Sequence, residues 1–309
     1  RRIDSMGRPM EDRVTAYEET EFAGYPSISI AYPVLDDWVA MFDPRHNRSD
    51  AANLESYQDF KQRHQKQITS LLKEIVSRKS GKALLGETNL TANTITILPI
   101  DFVSTSSRWI KFHNNAIATT DSAVKSTHPG MYASTSKNKK TKVTTNNIGT
   151  GEGANSEIYF TAGRLRPGGP GYNSDEILFH ELVHAVRDTQ GASTSGFKMG
   201  NDYDNAEEFA AVVTTNVYMS EKKQTKMRAN HGRGELANPE KFLDSPQVPA
   251  PGARGLLSLY RQRLPRLFNA LAAISAQDAA FNPFRQLAEE TAAATKAHEA
   301  RMREFDRRR

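Results

Sequence analysis

The stretch "DEILFHELVHAVRDTQG", residues 175–191, contains the pattern H-E-x-x-H. Its apolar residues recur at helical spacing, which predicts a helix with one face turned to the core. His180 and His184 then lie one turn apart and can reach the same point beside the helix, with Glu181 adjacent to them. Such a pattern typically indicates two imidazoles that bind zinc and a glutamate that activates the attacking water.

Residues in front of this helix predict where it begins. Asn173 can cap the helix, and Glu176 three residues later completes a capping box. Asp175 and Glu176 in the first turn also suit the positive end of the helix dipole. We therefore expect a helix over residues 174–188. The alternative is that the two histidines and the glutamate only occupy a solvated or core face of that helix.

A catalytic zinc needs a third protein ligand and keeps one position open for water or substrate. The next predicted helix, residues 205–221, carries Glu207 and Glu208 near its start. If Asp204 is the N-cap, Glu207 is its capping-box partner and Glu208 is free to face the metal. If Asn205 is the cap, the two glutamates exchange roles. We prefer Glu208 as the ligand, with Glu207 as the fallback or as a residue that hydrogen-bonds a ligand histidine.

The two helices together resemble those of a known family. "FHELVHAVRDTQG" followed by "YDNAEEFAAVVTTNVYMSE" is similar to the NleD-like zinc metallopeptidase effectors, over about residues 155–245. The segment "AEEFAA" also resembles the part of clostridial neurotoxins and anthrax lethal factor in which a glutamate before an apolar residue binds zinc. That second resemblance independently favours Glu208.

The resemblance implies a zincin-like fold with an edge strand above the zinc helix. The natural candidates for this strand are Ile158, Tyr159 and Phe160, where an extended substrate would pair by strand addition. The alternative for the same residues is an ordinary core strand. Enzymes of this kind often place a Tyr or His near the oxyanion, and Tyr203 and His231 are the candidates here, although either could instead serve in capping or packing.

The resemblance also implies an activity. We expect a zinc metalloendopeptidase, a hydrolase with one Zn²⁺ per chain, secreted as a virulence effector or toxin and delivered into a host or target cell. Its substrate would be a protein of that cell, with a mitogen-activated protein kinase as the target that the family suggests. Two alternatives remain, namely an antibacterial peptidase toxin domain of a larger secretion-system protein and a non-catalytic binding module stapled by zinc. A purely structural zinc site would usually have four protein ligands.

The composition is that of an ordinary soluble globular protein. Hydrophobic residues make up 38% and charged residues 25% of the 309 residues, so no bias towards disorder is expected. With no cysteine, the chain has no disulfide, thiolate ligand or cysteine nucleophile. No long apolar run predicts a membrane span. Part of the net charge of +5 lies in the loop 136–142, which is more typical of solvated surface than of nucleic-acid binding, so no nucleic-acid partner is expected.

The order of the predicted elements mixes helices and strands without a βαβ rhythm, which favours the α+β class. We divide the sequence into an N-terminal segment with a long helix (1–90), a zinc peptidase core (91–245) and a C-terminal helical extension (246–309). The extension could pack on the core as one domain. Residues 119–155, rich in small polar residues and lysine, predict a long exposed loop. The sequence starts at Arg1, so we expect a processed or trimmed chain, with a larger delivery protein or a secretion chaperone as a partner.

Overall fold

The structure is a computed structural model, and it describes most of the chain. The described residues are 2–4, 9–10, 17–34, 50–99, 117–121, 132–133, 148–149, 151–162, 169–194, 199, 203–232 and 234–308. The basic loop 136–142 and most of the loop predicted over 119–155 lie outside these residues.

One mixed sheet forms the β part of the fold. Its seven strands lie in the order β2-β1-β6-β9-β5-β4-β3, and the parallel pairs are β4 with β5 and β5 with β9. A second, two-stranded sheet joins β7 to β8. The strands are β1 (Arg2–Asp4), β2 (Pro9–Met10), β3 (Tyr17–Phe22), β4 (Tyr25–Pro33), β5 (Ile95–Leu98), β6 (Ile117–Asp121), β7 (Tyr132–Ala133), β8 (Ile148–Gly149) and β9 (Ser156–Tyr159).

Among the described residues, two α-helices lie between β4 and β5 and five follow β9, without the repeated strand–helix alternation of an α/β fold, which confirms the predicted α+β class. Pro265 divides the helix predicted over 254–274 into two, because proline lacks the N–H that would continue the first helix. The helices are α1 (Asp50–Ser77), α2 (Lys79–Gly86), α3 (Ser174–Thr189), α4 (Ala206–Glu221), α5 (Gly252–Arg263), α6 (Pro265–Ala272) and α7 (Pro283–Arg307). Short 3₁₀ helices span Glu87–Leu90 and Pro239–Asp244.

The strand predicted to form an edge above the zinc helix lies inside the sheet instead. β9 pairs in parallel with β5 on one side and antiparallel with β6 on the other. Ile158 and Phe160 are fully buried and Tyr159 is 5% exposed. The prediction of an edge strand was wrong because β6, which covers that side, comes from a polar segment that gave no strand signal. Since both sides of β9 are paired, these residues form core packing in the structure.

The apolar face of α3 packs as its periodicity predicts. Helix α4 lies against α3, and all of its residues from Ala206 to Glu221 are buried. One cluster of buried apolar side chains runs from Phe22 in β3 to Phe284 at the start of α7, so the C-terminal helices share the core of the sheet and α3. The division into three parts stays a prediction, and this shared core favours the version in which the C-terminal extension packs on the peptidase core. Among the described residues, no helix is both long and apolar enough to span a bilayer.

Candidate active site and metal centre

The capping box predicted at the start of α3 is present. The Asn173 side chain accepts from the backbone of the third helical residue, and the Glu176 carboxylate accepts from the backbone N–H of Asn173, at 3.2 Å. This cap fixes the register of α3 and turns His180 and His184 inward, where they are 4% and 2% exposed. Both histidines therefore face α4 rather than solvent.

The N-cap of α4 is Asn205, not Asp204. Its side-chain oxygen accepts from the backbone N–H groups of Glu207 and Glu208 at 2.9 and 3.0 Å. Asp204 cannot cap because its backbone is left-handed, with φ of 53°, and its carboxylate contacts His231 instead. Of the two caps that the sequence left open, Asn205 is therefore the one present, and the rule that an Asn205 cap would turn Glu207 to the metal was wrong. The N–H of Asn205 bonds to the Tyr203 carbonyl, so no capping box draws Glu208 back to the cap.

Three donor atoms from the two helices meet at one point. The Nε2 atoms of His180 and His184 are 3.2 Å apart, and Oε2 of Glu208 lies 3.3 Å from each of them. Around a tetrahedral zinc with bonds of about 2.0–2.1 Å, neighbouring ligand atoms are about 3.3 Å apart. Within the described part of the chain, Oε2 of Glu208 is buried and has no hydrogen-bond partner. An orphaned carboxylate oxygen between two imidazole nitrogens is the donor set that a zinc ion would satisfy.

His231 extends this cluster from the loop after α4. Its Nε2 lies 3.4 Å from Oε2 of Glu208, and the donor atoms of His180, Glu208 and His231 all lie within 4.8 Å of one another. The His231 ring stacks on that of His180, with centroids 5.9 Å apart. Its Nδ1 lies 2.8 Å from the carboxylate of Asp204, and its side chain is 38% exposed. His231 therefore stands at the open side of the cluster, where a substrate can reach it.

A clamp that the sequence reasoning missed holds the loop of His231. The side chain of Asn216 in α4 donates to the Arg228 carbonyl and accepts from the Arg228 N–H, both at 2.9 Å. Nη2 of Arg228 donates to the His231 carbonyl at 2.8 Å, and Nη1 lies 3.3 Å from Nδ1 of His180. Gly171 makes room for Arg228, since a Cβ there would lie 2.2 Å from Arg228 Cδ. An amide side chain within the run of valines and threonines of α4 was the sequence signal for this clamp.

Glu207 faces away from the point where the three donor atoms meet. Its two oxygens take a bidentate ion pair from Arg187, at 2.6 and 3.0 Å, and one of them also accepts from the Thr194 N–H at 2.7 Å. Its Oε1 lies 3.6 Å from Nδ1 of His184, which is beyond a hydrogen bond but within electrostatic reach. Glu207 thus lies behind a candidate ligand histidine, as the sequence alternative described.

The electrostatics of the cluster separate its two histidines. Burial lowers the pKa of His180 to about 3, so its imidazole is neutral and can bind a metal. Burial also opposes the charged form of His184, but the Glu208 and Glu207 carboxylates outweigh it and raise its pKa well above the ordinary value. The same histidine holds the pKa of Glu208 well below its usual range in spite of burial. The pKa of Glu207 falls to about 2 because the Arg187 charge outweighs its burial.

The remaining predicted residues take different places. Glu181 is 7% exposed, and its negative charge acts on both His184 and Arg228, which places it beside the cluster. Tyr203 is 1% exposed, and its ring packs edge-on against Phe209 with centroids 5.3 Å apart. Of the two oxyanion candidates, it is therefore His231 that contacts the cluster of His180 and Glu208.

Comparison with known proteins found one family. The M91 peptidase family, described as "Effector protein", matches residues 48–241. The match includes α3, α4 and the loop that carries Arg228 and His231, and it ends before α5. Neither the curated proteins nor the solved structures gave a match.

Proposed function

The chain belongs to the M91 family of effector peptidases, and on this premise we propose that it is a zinc-dependent endopeptidase. The observation that carries the proposal is the meeting of three donor atoms, from His180, His184 and Glu208, at mutual distances of 3.2–3.3 Å. Two imidazoles and one carboxylate, with one side left open, form the ligand set of a catalytic rather than a structural zinc.

His180, His184 and Glu208 would hold the ion. When bound there, zinc would lower the pKa of a water molecule and polarise the carbonyl of the scissile peptide. The residues fit this group because the Glu208 oxygen is buried without a hydrogen-bond partner in the described structure, and because the neutral imidazole of His180 offers a lone pair. Glu207 and Arg187 support the site from behind His184.

Glu181 supplies the acid–base chemistry. It directly follows His180 in the H-E-x-x-H pattern, in which the glutamate at this position activates the attacking water. The carboxylate takes a proton from that water and then delivers it to the departing amine nitrogen. Glu181 does not belong to the ligand set, and its substitution should therefore leave metal binding intact.

His231 supports the developing oxyanion in this proposal. The Asp204 carboxylate accepts from Nδ1–H of His231 and fixes the ring, so Nε2 faces the cluster. Nε2 is then directed at the position of the oxyanion, and loss of one oxyanion donor typically costs 10²–10³ in kcat. The half-exposed side chain of His231 lies on the side of the cluster that a substrate would enter.

The alternative function is a non-catalytic binding module that zinc stabilises structurally. A structural zinc site normally closes all four positions with protein ligands, and it has no use for a general base. Here the glutamate between the histidines is retained, and the fourth candidate, His231, is tied to Asp204. We therefore favour a catalytic zinc site over a structural one.

The substrate and the delivery route form the second part of the proposal. Membership of an effector family supports a protein substrate in another cell, and we propose that the chain is secreted and delivered there as a toxin. The family resemblance makes a mitogen-activated protein kinase the first substrate to assay. Expression in eukaryotic and in bacterial cells, each compared with an inactive variant, distinguishes a host target from a bacterial competitor.

Metal analysis tests the proposal most simply. Protein purified without added zinc should carry about one equivalent per chain, and His184→Ala should lose it. His298 lies on the exposed part of α7, so His298→Ala is the matched control and should keep the metal. Wild-type protein that binds no zinc even when it is supplied would refute the proposed function.

A further inference from the structure

A fully buried ion pair lies directly behind the metal site. Arg187, one turn beyond His184 on α3, is 1% exposed, and its guanidinium binds both oxygens of Glu207. The same guanidinium donates to the Ala192 carbonyl at 3.0 Å. Nη1, however, has no hydrogen-bond partner within the described structure. A contact other than a hydrogen bond must therefore stabilise the Nη1 side of the Arg187 guanidinium.

That other contact comes from α5, outside the region that matches the family. The ring of Tyr260 lies against the guanidinium, with 4.8 Å between Arg187 Cζ and the ring centroid, which is within the range of a cation–π interaction. Tyr260 is 2% exposed. Its ring is fixed by an edge-on contact with Phe284 of α7, at 5.1 Å between centroids, and its hydroxyl lies 3.4 Å from Oγ1 of Thr214 in α4.

A second contact joins the same helix to the end of α3. Nη2 of Arg263 donates to the carbonyl of Gly191 at 3.0 Å. Gly191 is left-handed, with φ of 62°, and a Cβ there would lie within 2.7 Å of three backbone nitrogens of residues 151–153. Only glycine fits this crossing, so α5 holds the end of α3 at a point that tolerates little movement.

We propose that Tyr260 is a positioning residue of the metal site, acting through Arg187 and Glu207 on His184. The inference rests on the proposed function, because it assumes that His184 binds the metal. The ring holds the guanidinium, the guanidinium holds Glu207 by two hydrogen bonds, and Glu207 Oε1 lies 3.6 Å from Nδ1 of His184. The functional unit then extends beyond residue 241, where the family match ends, and includes α5.

Tyr260 can affect the metal site because a buried charge without well-placed partners costs free energy. An Arg–Glu pair in the interior is favourable only when its geometry is good and its remaining groups are satisfied. Without the aromatic ring, the guanidinium can shift towards α5, and Glu207 shifts with it. The Glu207 carboxylate then moves away from its position beside Nδ1 of His184. Outer contacts of this kind typically change metal affinity by about 10–100-fold.

Zinc affinity, measured by competition with a chelator, tests the proposal in the full-length protein. Tyr260→Leu removes the ring, and we expect it to weaken zinc binding by about tenfold, the lower end of the range for such contacts. Tyr260→Phe keeps the ring and should bind zinc like wild type. A phenylalanine with a fluorinated ring at position 260 keeps the shape but loses the negative ring face, so it should weaken binding as Leu does. This last variant decides the matter if Tyr260→Leu does not fold.

A matched control separates positioning from stability. Tyr57 in α1 is another buried tyrosine, 1% exposed, whose hydroxyl bonds to Glu18 and the Pro33 carbonyl. Tyr57→Leu should lower the melting temperature but leave the zinc affinity of the folded protein unchanged. Equal zinc affinity in wild type and in the Leu and fluorinated variants at position 260 would overturn the inference while leaving the proposed function intact. Absence of zinc binding in wild type would overturn both.

Discussion

Arg187 holds both carboxylate oxygens of Glu207, at 2.6 and 3.0 Å, so Glu207 is committed to an ion pair while its neighbour Glu208 faces the two histidines. Adjacent helical residues point in directions about 100° apart, so one glutamate cannot take the place of the other without unwinding the helix. The different roles of the two glutamates are thus set by Arg187 on α3 and not by the N-cap of α4.

The different roles of Glu207 and Glu208 predict different outcomes for two matched variants. Glu208→Gln should abolish tight zinc binding, because an amide is a poor zinc ligand. Glu207→Gln should retain zinc with an affinity lowered by about 10–100-fold, as expected for a residue behind a ligand. Zinc titration with a chelator competitor measures both. The reverse pattern would make Glu207 the ligand and would contradict the geometry.

His231 is expected to act on catalysis and not on metal binding. His231→Ala should lower kcat by about 10²–10³, the scale for removal of one oxyanion donor, while the zinc content stays at one per chain. Asp204→Asn should give a smaller loss, because the ring keeps a hydrogen-bond partner but loses the carboxylate that holds its orientation. The measurement is kcat and zinc content for both variants. Loss of zinc from His231→Ala would instead show that His231 is a fourth ligand.

The clamp by Asn216 should set the mobility of the loop that carries His231. Asn216→Leu leaves the buried N–H and carbonyl of Arg228 unpaired, which costs about 1–3 kcal/mol for each group. Asn216→Asp keeps the acceptor for the N–H. Amide hydrogen exchange at Arg228 should therefore be much faster in the Leu variant, with the Asp variant in between. Unchanged exchange in the Leu variant would show that the loop is held by other contacts.

His64 should make the fold sensitive to acid at a place remote from the metal site. Burial against Tyr32 lowers the pKa of His64 from 6.5 to about 4, so the unfolded chain binds its proton at a higher pH than the folded chain does. Its contribution to stability is therefore full above pH 6.5 and is lost as the pH falls through 6.5 towards 4. The expected loss is about 3 kcal/mol.

Urea unfolding of the metal-free protein at pH 7 and pH 4 measures this effect. His64→Leu removes the titrating group, so its loss of stability between the two pH values should be smaller than that of wild type by about 3 kcal/mol. The metal-free protein is used so that release of zinc in acid does not add to the difference. An equal loss in the two proteins would mean that His64 is protonated in the folded state.

Local sequence signals predicted the parts of the site that depend on one helix. The spacing of His180, Glu181 and His184 and the capping box of Asn173 are properties of α3 alone, and the structure contains them as expected. The choice of Glu208 also agrees with the geometry, although the rule that linked the helix cap to the ligand was wrong. Turn geometry at Asp204 depends on its contact with His231, which lies on a distant loop.

Contacts between segments far apart in the sequence were the parts of the fold and the site that could not be predicted. β6, "IATTD", has little apolar character and lies within a polar region, yet it covers one side of β9. An edge and an interior strand have the same local pattern when the covering strand is polar. The contact of Tyr260 with Arg187 is equally non-local, since no periodicity within α5 marks which of its residues meets a buried cation.

The comparison of wild type with Glu181→Gln tests the central claim most directly. The amide keeps the shape of the carboxylate and removes the group that carries the proton, so folding and zinc content should be unchanged while peptide cleavage falls by at least about 100-fold. The measurement is proteomic identification of newly formed protein termini in lysate of a candidate target cell, with zinc content determined on the same preparations. The account predicts cleaved termini with wild type and none above background with Glu181→Gln. Equal cleavage by the two proteins would contradict the assignment of Glu181 as the base and with it the peptidase mechanism.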